Sequence, residues 1–291
     1  MSGKTTLFKK KILEGPLTNI VAAHNGLGAR LAEQAGFDGI WASGFELSAS
    51  YGLPDASLIS MTQHLDASRA MAEATEIPIV ADIDTGYGNA INVMHVIERY
   101  EAAGMAAIVM EDKMFPKDTS LLAGGRQEMV RIEEFQGKIE AALAARRDQD
   151  FMIVARVEAL IAGLGQEEAR LRGEKYAEAG ADAILIHSKS KKPDEIVTFI
   201  KEWRLPVPLV LVPTSYPDLT EADIEKLGKV KLVVYANQGL RAAVTAMEKV
   251  FAQIRADRGI QHVDKTIVPV EHIFELQKVG DMKQREKRFL R

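Results

Sequence analysis

No cysteine occurs among the 291 residues, which excludes disulfides, thiolate nucleophiles, zinc fingers and iron–sulfur clusters. No apolar run approaches the roughly 20 residues that cross a bilayer, so no membrane partner is expected. The first residues, MSGKTTLFKKKILEG, carry neither an apolar h-region nor a small-residue cleavage site, and a cytoplasmic protein is expected. An excess of basic charge is also missing. Lys and Arg number 37 against 41 Asp and Glu, a net charge of −4, which gives no broad field for nucleic acid. No Gly/Ser/Pro-rich linker or low-complexity segment divides the chain, so one domain spanning 1–291 is expected. What is present is 47% hydrophobic residues, enough to bury a core and shape a pocket.

Short β-branched or apolar runs recur along the chain, each followed by a helical pattern. Eight read as strands: 19–23, 39–42, 79–82, 107–110, 152–156, 183–187, 209–212 and 232–235. Amphipathic stretches at 92–103, 132–147, 167–179 and 240–255 lie among them. A related phrase ends three of the helices: EQAGFDGI from Glu33, EAAGMAAI from Glu101 and EAGADAIL from Glu178. Its Gly36, Gly104 and Gly180 stand where a helix end needs a left-handed residue before the next strand. Strands alternating with helices imply a parallel sheet. An open doubly wound sheet is the alternative, but an even repeat of eight favours an α/β fold closed as a (β/α)8 TIM barrel. The intervals 43–76 and 111–129 are longer than ordinary βα loops and are candidate lids. Residues 266–291 form an extra C-terminal helical tail, whose Ile273, Phe274, Leu276 and Phe289 need a surface to cover.

In a barrel the active site lies where strands end. The residues there are His24 and Asn25, Ser43 and Gly44, Asp82 and Asp84, Glu111 to Lys113, Arg156 and Glu158, His187 and Ser188, Thr214, and Asn237. A single polar residue at a strand end can simply meet solvent, but charged groups on four successive strands point to a site. In ADIDTGYGN, Asp82 and Asp84 are two apart and leave an extended chain on one face. The string superficially resembles an EF-hand loop, but Gly86 takes a ligand position and no helix precedes it. Glu111 and Asp112 sit on the neighbouring strand, about 5 Å away, where bare carboxylates repel by roughly 3 kcal/mol at an effective dielectric near 20. Such a cluster calls for a cation. Oxygen ligands without cysteine favour Mg2+, with Mn2+ possible, and magnesium keeps several of its waters. Lys113 and Arg156 as plain salt-bridge partners are the simpler alternative. Arg156 is also preset for bidentate recognition of phosphate or carboxylate, with Glu158 on the same face to orient it. The segment KDTS, Lys117 to Ser120, can close over an anion. Trp41 reads equally as barrel packing or as a pocket wall. GKTT at the N-terminus lacks the glycine and strand of a P-loop. His64, His95, His262 and His272 fall on helices or surface segments without metal-ligand spacing.

WASGFELSASYGLPD, ADIDTGYGN, EDKMFPKDTS, ARVEALIAG and AILIHSK together resemble the phosphoenolpyruvate mutase/isocitrate lyase superfamily, over nearly the whole chain. The lyases of that superfamily carry a Lys-Lys-Cys-Gly-His loop with a catalytic cysteine. This chain has Glu111-Asp112-Lys113 there and no cysteine, so the resemblance favours the phosphonopyruvate branch. In its mutases the lid reads E-D-K-x-x-x-K-x-N-S; here Thr119 stands in place of the Asn, which is similar to the hydrolytic members. The resemblance therefore implies Mg-dependent hydrolysis of the C–P bond of phosphonopyruvate, with mutase interconversion with phosphoenolpyruvate as the alternative. A lyase or decarboxylase acting on a 2-oxo dicarboxylate such as oxaloacetate is a more distant one. It also implies that Asp82 ligates the metal directly, with Asp84, Glu111 and Asp112 acting through waters. Lys117, Thr119, Ser120, Arg156 and His187 would surround the phosphonate, with Asp55 reaching in from the first lid. Ser43 and Gly44 would offer backbone donors, and Trp41, Phe45, Glu158 and Asn237 would complete the substrate pocket. A homotetramer built as a dimer of helix-swapped dimers is implied as well.

Overall fold

The computed structural model describes residues 2–291. Eight strands alternate with helices: α1 (Ser2–Glu14), β1 (Thr18–Ala23), α2 (Gly26–Gln34), β2 (Gly39–Ala42), α3 (Gly44–Ser50), α4 (Met61–Ala74), β3 (Ile79–Asp82), α5 (Ala90–Ala102), β4 (Ala107–Glu111) and α6 (Ile132–Ala145). They continue as β5 (Met152–Val157), α7 (Gly165–Glu178), β6 (Ala183–Ile186), α8 (Asp194–Glu202), β7 (Leu209–Leu211), α9 (Glu221–Leu227), β8 (Val230–Tyr235), α10 (Gln238–Asp257), α11 (Val270–Leu276) and α12 (Val279–Phe289). The strands pair in parallel and in order, and β1 joins β8 to close the barrel. The expected strands are all present, shifted by at most a residue or two at their ends. Gly36, Gly104 and Gly180 have φ of +87°, +85° and +97°, which only glycine adopts without strain.

Side chains alternate in and out along every strand, and this sorts the core into two layers. Ile40, Ala42, Ile79, Ala81, Ile108, Met110, Ala155 and Val157 point outward and pack under the helices. Trp41, Val80, Val109, Val154, Leu185, Val210 and Val234 point inward and fill the barrel, whose floor is sealed by Phe8 and Ile12 of α1. The inward set continues, two residues at a time, into Asp82, Glu111, Arg156 and His187 at the mouth. The alternation that fills the barrel with apolar groups therefore also delivers its charged rim.

The chain divides into two compact units, one extending to Asn237 and holding the barrel, the other Gln238–Arg291 holding α10 to α12. Within the second unit, α10 buries none of its 20 residues, and Val244, Met247 and Phe251 stay exposed.

Candidate active site

The mouth is built on two tight pieces of backbone. After β3 the chain turns at once: Asp84 has φ +52°, Gly86 +89° and Gly88 +146°. A Cβ at Gly86 would lie 2.6 Å from Val93 Cγ2 and 2.8 Å from Met110 Sδ, so the turn is pressed onto the barrel wall. Lys138 of α6, itself buried, donates to the Thr85 carbonyl at 3.0 Å and pins the same turn from outside. Across from it, Ser43 caps α3 by accepting from the Glu46 N–H at 3.2 Å. Gly44 brings its backbone so close that a Cβ there would sit 3.1 Å from Asp84 Oδ1 and 3.5 Å from Asp82 Oδ2.

One side of the mouth is acidic. Asp82, Asp84, Glu111 and Asp55 are buried or nearly so around the Lys117 ammonium. Lys117 Nζ lies 2.7 Å from Asp84 Oδ1, 3.2 Å from Asp55 Oδ1 and 3.5 Å from Glu111 Oε1. The repulsion expected among bare carboxylates is thus offset by the Lys117 ammonium from the second lid, which also draws in Asp55 from the first. Burial raises the Asp82 carboxyl, against the pull of Lys117 and Arg156. Burial likewise raises Asp84 to about 7, although Lys117 opposes it. For Glu111 burial acts upward, but Lys117, Lys113 and Arg156 together hold it below the usual range. Burial would lower Lys117, yet Asp55, Asp84, Glu111 and Asp82 keep it well above an ordinary lysine.

The other side is cationic. Arg156 Nε donates to Glu158 Oε1 at 2.5 Å and lies 3.3 Å from Glu111 Oε2, and its Nη2 donates to Ser120 Oγ at 3.0 Å. His187 Nδ1 lies 2.9 Å from the same Glu158 oxygen. Glu158 is pushed up by burial, but Arg156, His187 and Lys113 hold it well below an ordinary glutamate, so it stays an anion that fixes both Arg156 and His187. Burial lowers His187, against the upward pull of Glu158. Between the two sides lies a cavity of about 90 Å³ lined by Trp41, Phe45, Asp55, Asp82, Lys117, Arg156 and His187, with Ser43, Leu121, Val212, Thr214, Ala236 and Asn237 completing it. Trp41 is both things the sequence allowed, since it packs inside the barrel and walls the pocket.

The structure does not gather every expected residue. Asp112 is a correction: it follows Glu111 on an extended chain, so it points to the opposite face. Its Oδ1 accepts from the Glu158 N–H at 3.0 Å, and its Oδ2 from Tyr176 at 2.7 Å and Arg172 at 3.2 Å. Burial raises it to about 6 despite Arg172, and it faces α7 rather than the mouth. Ser120 and Glu158 back Arg156 from behind and do not line the cavity. Thr119 is half-buried on the lid beside it. His64 is no surface group: it is fully buried, with Nδ1 2.8 Å from the Tyr100 hydroxyl. Leu121 lines the cavity and escaped the sequence reading, since an apolar side chain in the lid motif carries no chemical flag, while Lys113 is the salt-bridge partner the sequence allowed, to Glu158.

These residues fit a divalent cation. Asp55 Oδ1, Asp84 Oδ1 and both Glu111 carboxylate oxygens are buried without a hydrogen-bond partner, facing only the ammonium and guanidinium. They are hard oxygen donors, as magnesium prefers. Among the described residues no three acidic or imidazole groups converge at ligation distance on one point. A cation here would accordingly take much of its shell from water and substrate, which is the habit of magnesium.

Known proteins resemble this chain along its length. The phosphoenolpyruvate phosphomutase family model matches residues 8–255. A phosphonopyruvate hydrolase from Variovorax sp. (strain Pal2) is 61% identical over 288 residues, covering 99% of both chains. The solved structure of a phosphonopyruvate hydrolase complex with oxalate and Mg2+ superposes with a TM-score of 0.94 at 59% identity, covering 99% of each chain. That of a phosphoenolpyruvate phosphomutase from Streptomyces platensis subsp. rosaceus gives 0.96 at 50% identity, again over 99% of each.

Proposed function

Because this chain belongs to the phosphoenolpyruvate phosphomutase family, we propose that it hydrolyses the carbon–phosphorus bond of phosphonopyruvate to pyruvate and phosphate, with Mg2+ as cofactor. The full-length likeness to a phosphonopyruvate hydrolase carries the reading. The two-sided cavity supports it, since an acidic wall suits a cation that binds the pyruvate end and a cationic wall suits the phosphonate.

Asp82, with Asp84, Glu111 and Asp55 around it, would hold the cation, which would supply Lewis acidity to the pyruvate end of the substrate. Arg156 and His187 hold the phosphonate oxygens, and Glu158 keeps both in place. Phosphoryl transfer runs through a loose transition state, so positioning and charge stabilisation dominate, and one such donor is worth about 3 kcal/mol. Ser43 and Gly44 offer backbone N–H groups to the carboxylate, while Trp41, Phe45 and Asn237 limit the pocket. Lys117 and Thr119 close the lid over the pocket, with Ser120 holding Arg156 in place beneath it. As the C–P bond breaks, its electrons stay with the pyruvate fragment and the phosphoryl group passes to an acceptor. Thr119 is shorter than the asparagine of the mutase lid and leaves room for water as that acceptor.

Phosphorus NMR of the protein with phosphonopyruvate and Mg2+ tests this: phosphate is expected, and phosphoenolpyruvate as the main product overturns it. The phosphomutase reading is the second choice, favoured by the close superposition on a phosphomutase, and the same spectrum decides between them. We further infer a cytoplasmic protein with neither membrane nor nucleic-acid partner. No described helix is long and apolar enough to cross a membrane. Its copies exchange their C-terminal helices in pairs, two pairs forming a tetramer. The unburied apolar residues of α10 support that assembly, and light scattering at the mass of one chain would refute it.

A further inference from the structure

Lys113 is a lysine without solvent. It is 1% exposed and follows β4 directly, at the neck of the lid, where its backbone bridges antiparallel to Met129 and the Met114 N–H donates to the Glu128 carbonyl at 2.9 Å. Its ammonium reaches back into the lid that it begins. Nζ donates to the Asp118 carbonyl at 3.0 Å and to Ser120 Oγ at 2.7 Å, and lies 3.3 Å from Glu158 Oε2. Two of its three donors are thus spent on the lid while the ammonium faces the Glu158 anion, and Lys113 does not line the cavity. It holds the two residues that flank Thr119, and the same Glu158 that orients Arg156 and His187. Ser120 is committed too, since its hydroxyl donates to Glu158 Oε2 at 2.6 Å while accepting from Lys113 and Arg156.

We propose that Lys113 is the positioning residue that seats the second lid, tying closure of residues 117–120 to the Glu158 anion that organises the cationic wall. Opening the lid removes the Asp118 carbonyl and Ser120 from the ammonium and leaves Glu158 as its remaining protein partner. Such a loss of partners is strongly disfavoured for a buried charge. The lid is thereby biased toward the arrangement that brings Lys117 to the carboxylates. This inference rests on the proposed phosphonopyruvate reaction only for its catalytic consequence, not for the seating itself.

The test is limited trypsin cleavage at Arg126, an exposed residue in the lid, on the full chain with and without oxalate and Mg2+. In wild type, slow cleavage that slows further with ligand is expected. Lys113→Met is expected to be cut at least tenfold faster, to lose the ligand-dependent protection, and to show at least a tenfold lower kcat on phosphonopyruvate. A general weakening of the fold would instead speed cleavage throughout the chain, and sites outside the lid serve as the control. Ser120→Ala keeps the Lys113–Glu158 pair but removes one lid bond, and a smaller acceleration at Arg126 is expected. Should Lys113→Met fail to fold, Ser120→Ala cut at the wild-type rate overturns the proposal. Lys113→Met folded, protected and cut like wild type overturns it directly. Because proteolysis needs no turnover, failure of the phosphonopyruvate reading leaves this result legible.

Discussion

His64 makes the acid limb of stability predictable. The ring is fully buried on α4, with Nδ1 2.8 Å from the Tyr100 hydroxyl and 3.3 Å from Ser68 Oγ. Burial lowers it from 6.5 to about 4, with the Ala42 backbone opposing and Lys117 adding to the drop. Between those two values the unfolded chain carries a proton on this ring that the native chain does not. Falling pH therefore draws the chain toward the unfolded state, and the stability this group preserves at neutral pH is lost from pH 6.5 downward. At pH 5 the penalty is about 2 kcal/mol, and at pH 7 it is close to zero. Asp84 and Asp112 act in the opposite sense, because carboxyls raised to about 7 and about 6 take up protons in the native state first. A single pH profile mixes these contributions, so the comparison must be between proteins. Urea unfolding of wild type and His64→Gln at pH 7 and pH 5 isolates the ring, since the carboxylates cancel. The gap between the two proteins is expected to shift by about 2 kcal/mol in favour of His64→Gln at the lower pH. A gap that stays constant with pH would refute the reasoning.

Arg156→Lys removes the fork that contacts Glu158, Ser120 and Glu111 at once. The expected loss in kcat is about 10²–10³-fold, with wild-type kcat as the disproof. Gly44→Ala places a methyl against Asp84 Oδ1; a misfit of about 1–3 kcal/mol should weaken Mg2+ binding roughly tenfold, measured by calorimetry. Thr119→Asn is expected to add phosphoenolpyruvate to the products seen by phosphorus NMR, and an unchanged product mixture refutes the role given to that side chain. Exhaustive chelation should abolish turnover, and Mg2+ should restore it; full activity after chelation refutes the cation's role.

The barrel was legible because each of its signals is local. A helix-ending glycine, an apolar run and a polar strand end fall within a few residues of one another, and eight repetitions leave little freedom in how they close. The acidic cluster was legible for the same reason, through Asp82 and Asp84 at a spacing of two. Asp112 was misplaced by neglecting that very spacing: applied to β4, it sends Glu111 inward and its neighbour outward to Arg172 and Tyr176. His64 could have been found from the helical face it shares with Leu65, Ser68 and Met71, all of which are buried. The meeting of Asp55 with Lys117 had no local sign, since it joins two lids far apart in the chain. Nothing in a neighbouring residue announces such a contact, and only the closed barrel brings its ends together.

The seam between β1 and β8 has a consequence for how the chain comes off the ribosome. Thr18 pairs with Leu232 and Val21 with Tyr235, so the last ladder needs a partner synthesised more than two hundred residues later. Until that strand emerges, β1 and β7 present raw hydrogen-bonding edges that invite sticking to other nascent copies. A transcript truncated just before residue 230 should therefore yield aggregate rather than a smaller soluble protein, although nearly all of the catalytic side chains would already have been made.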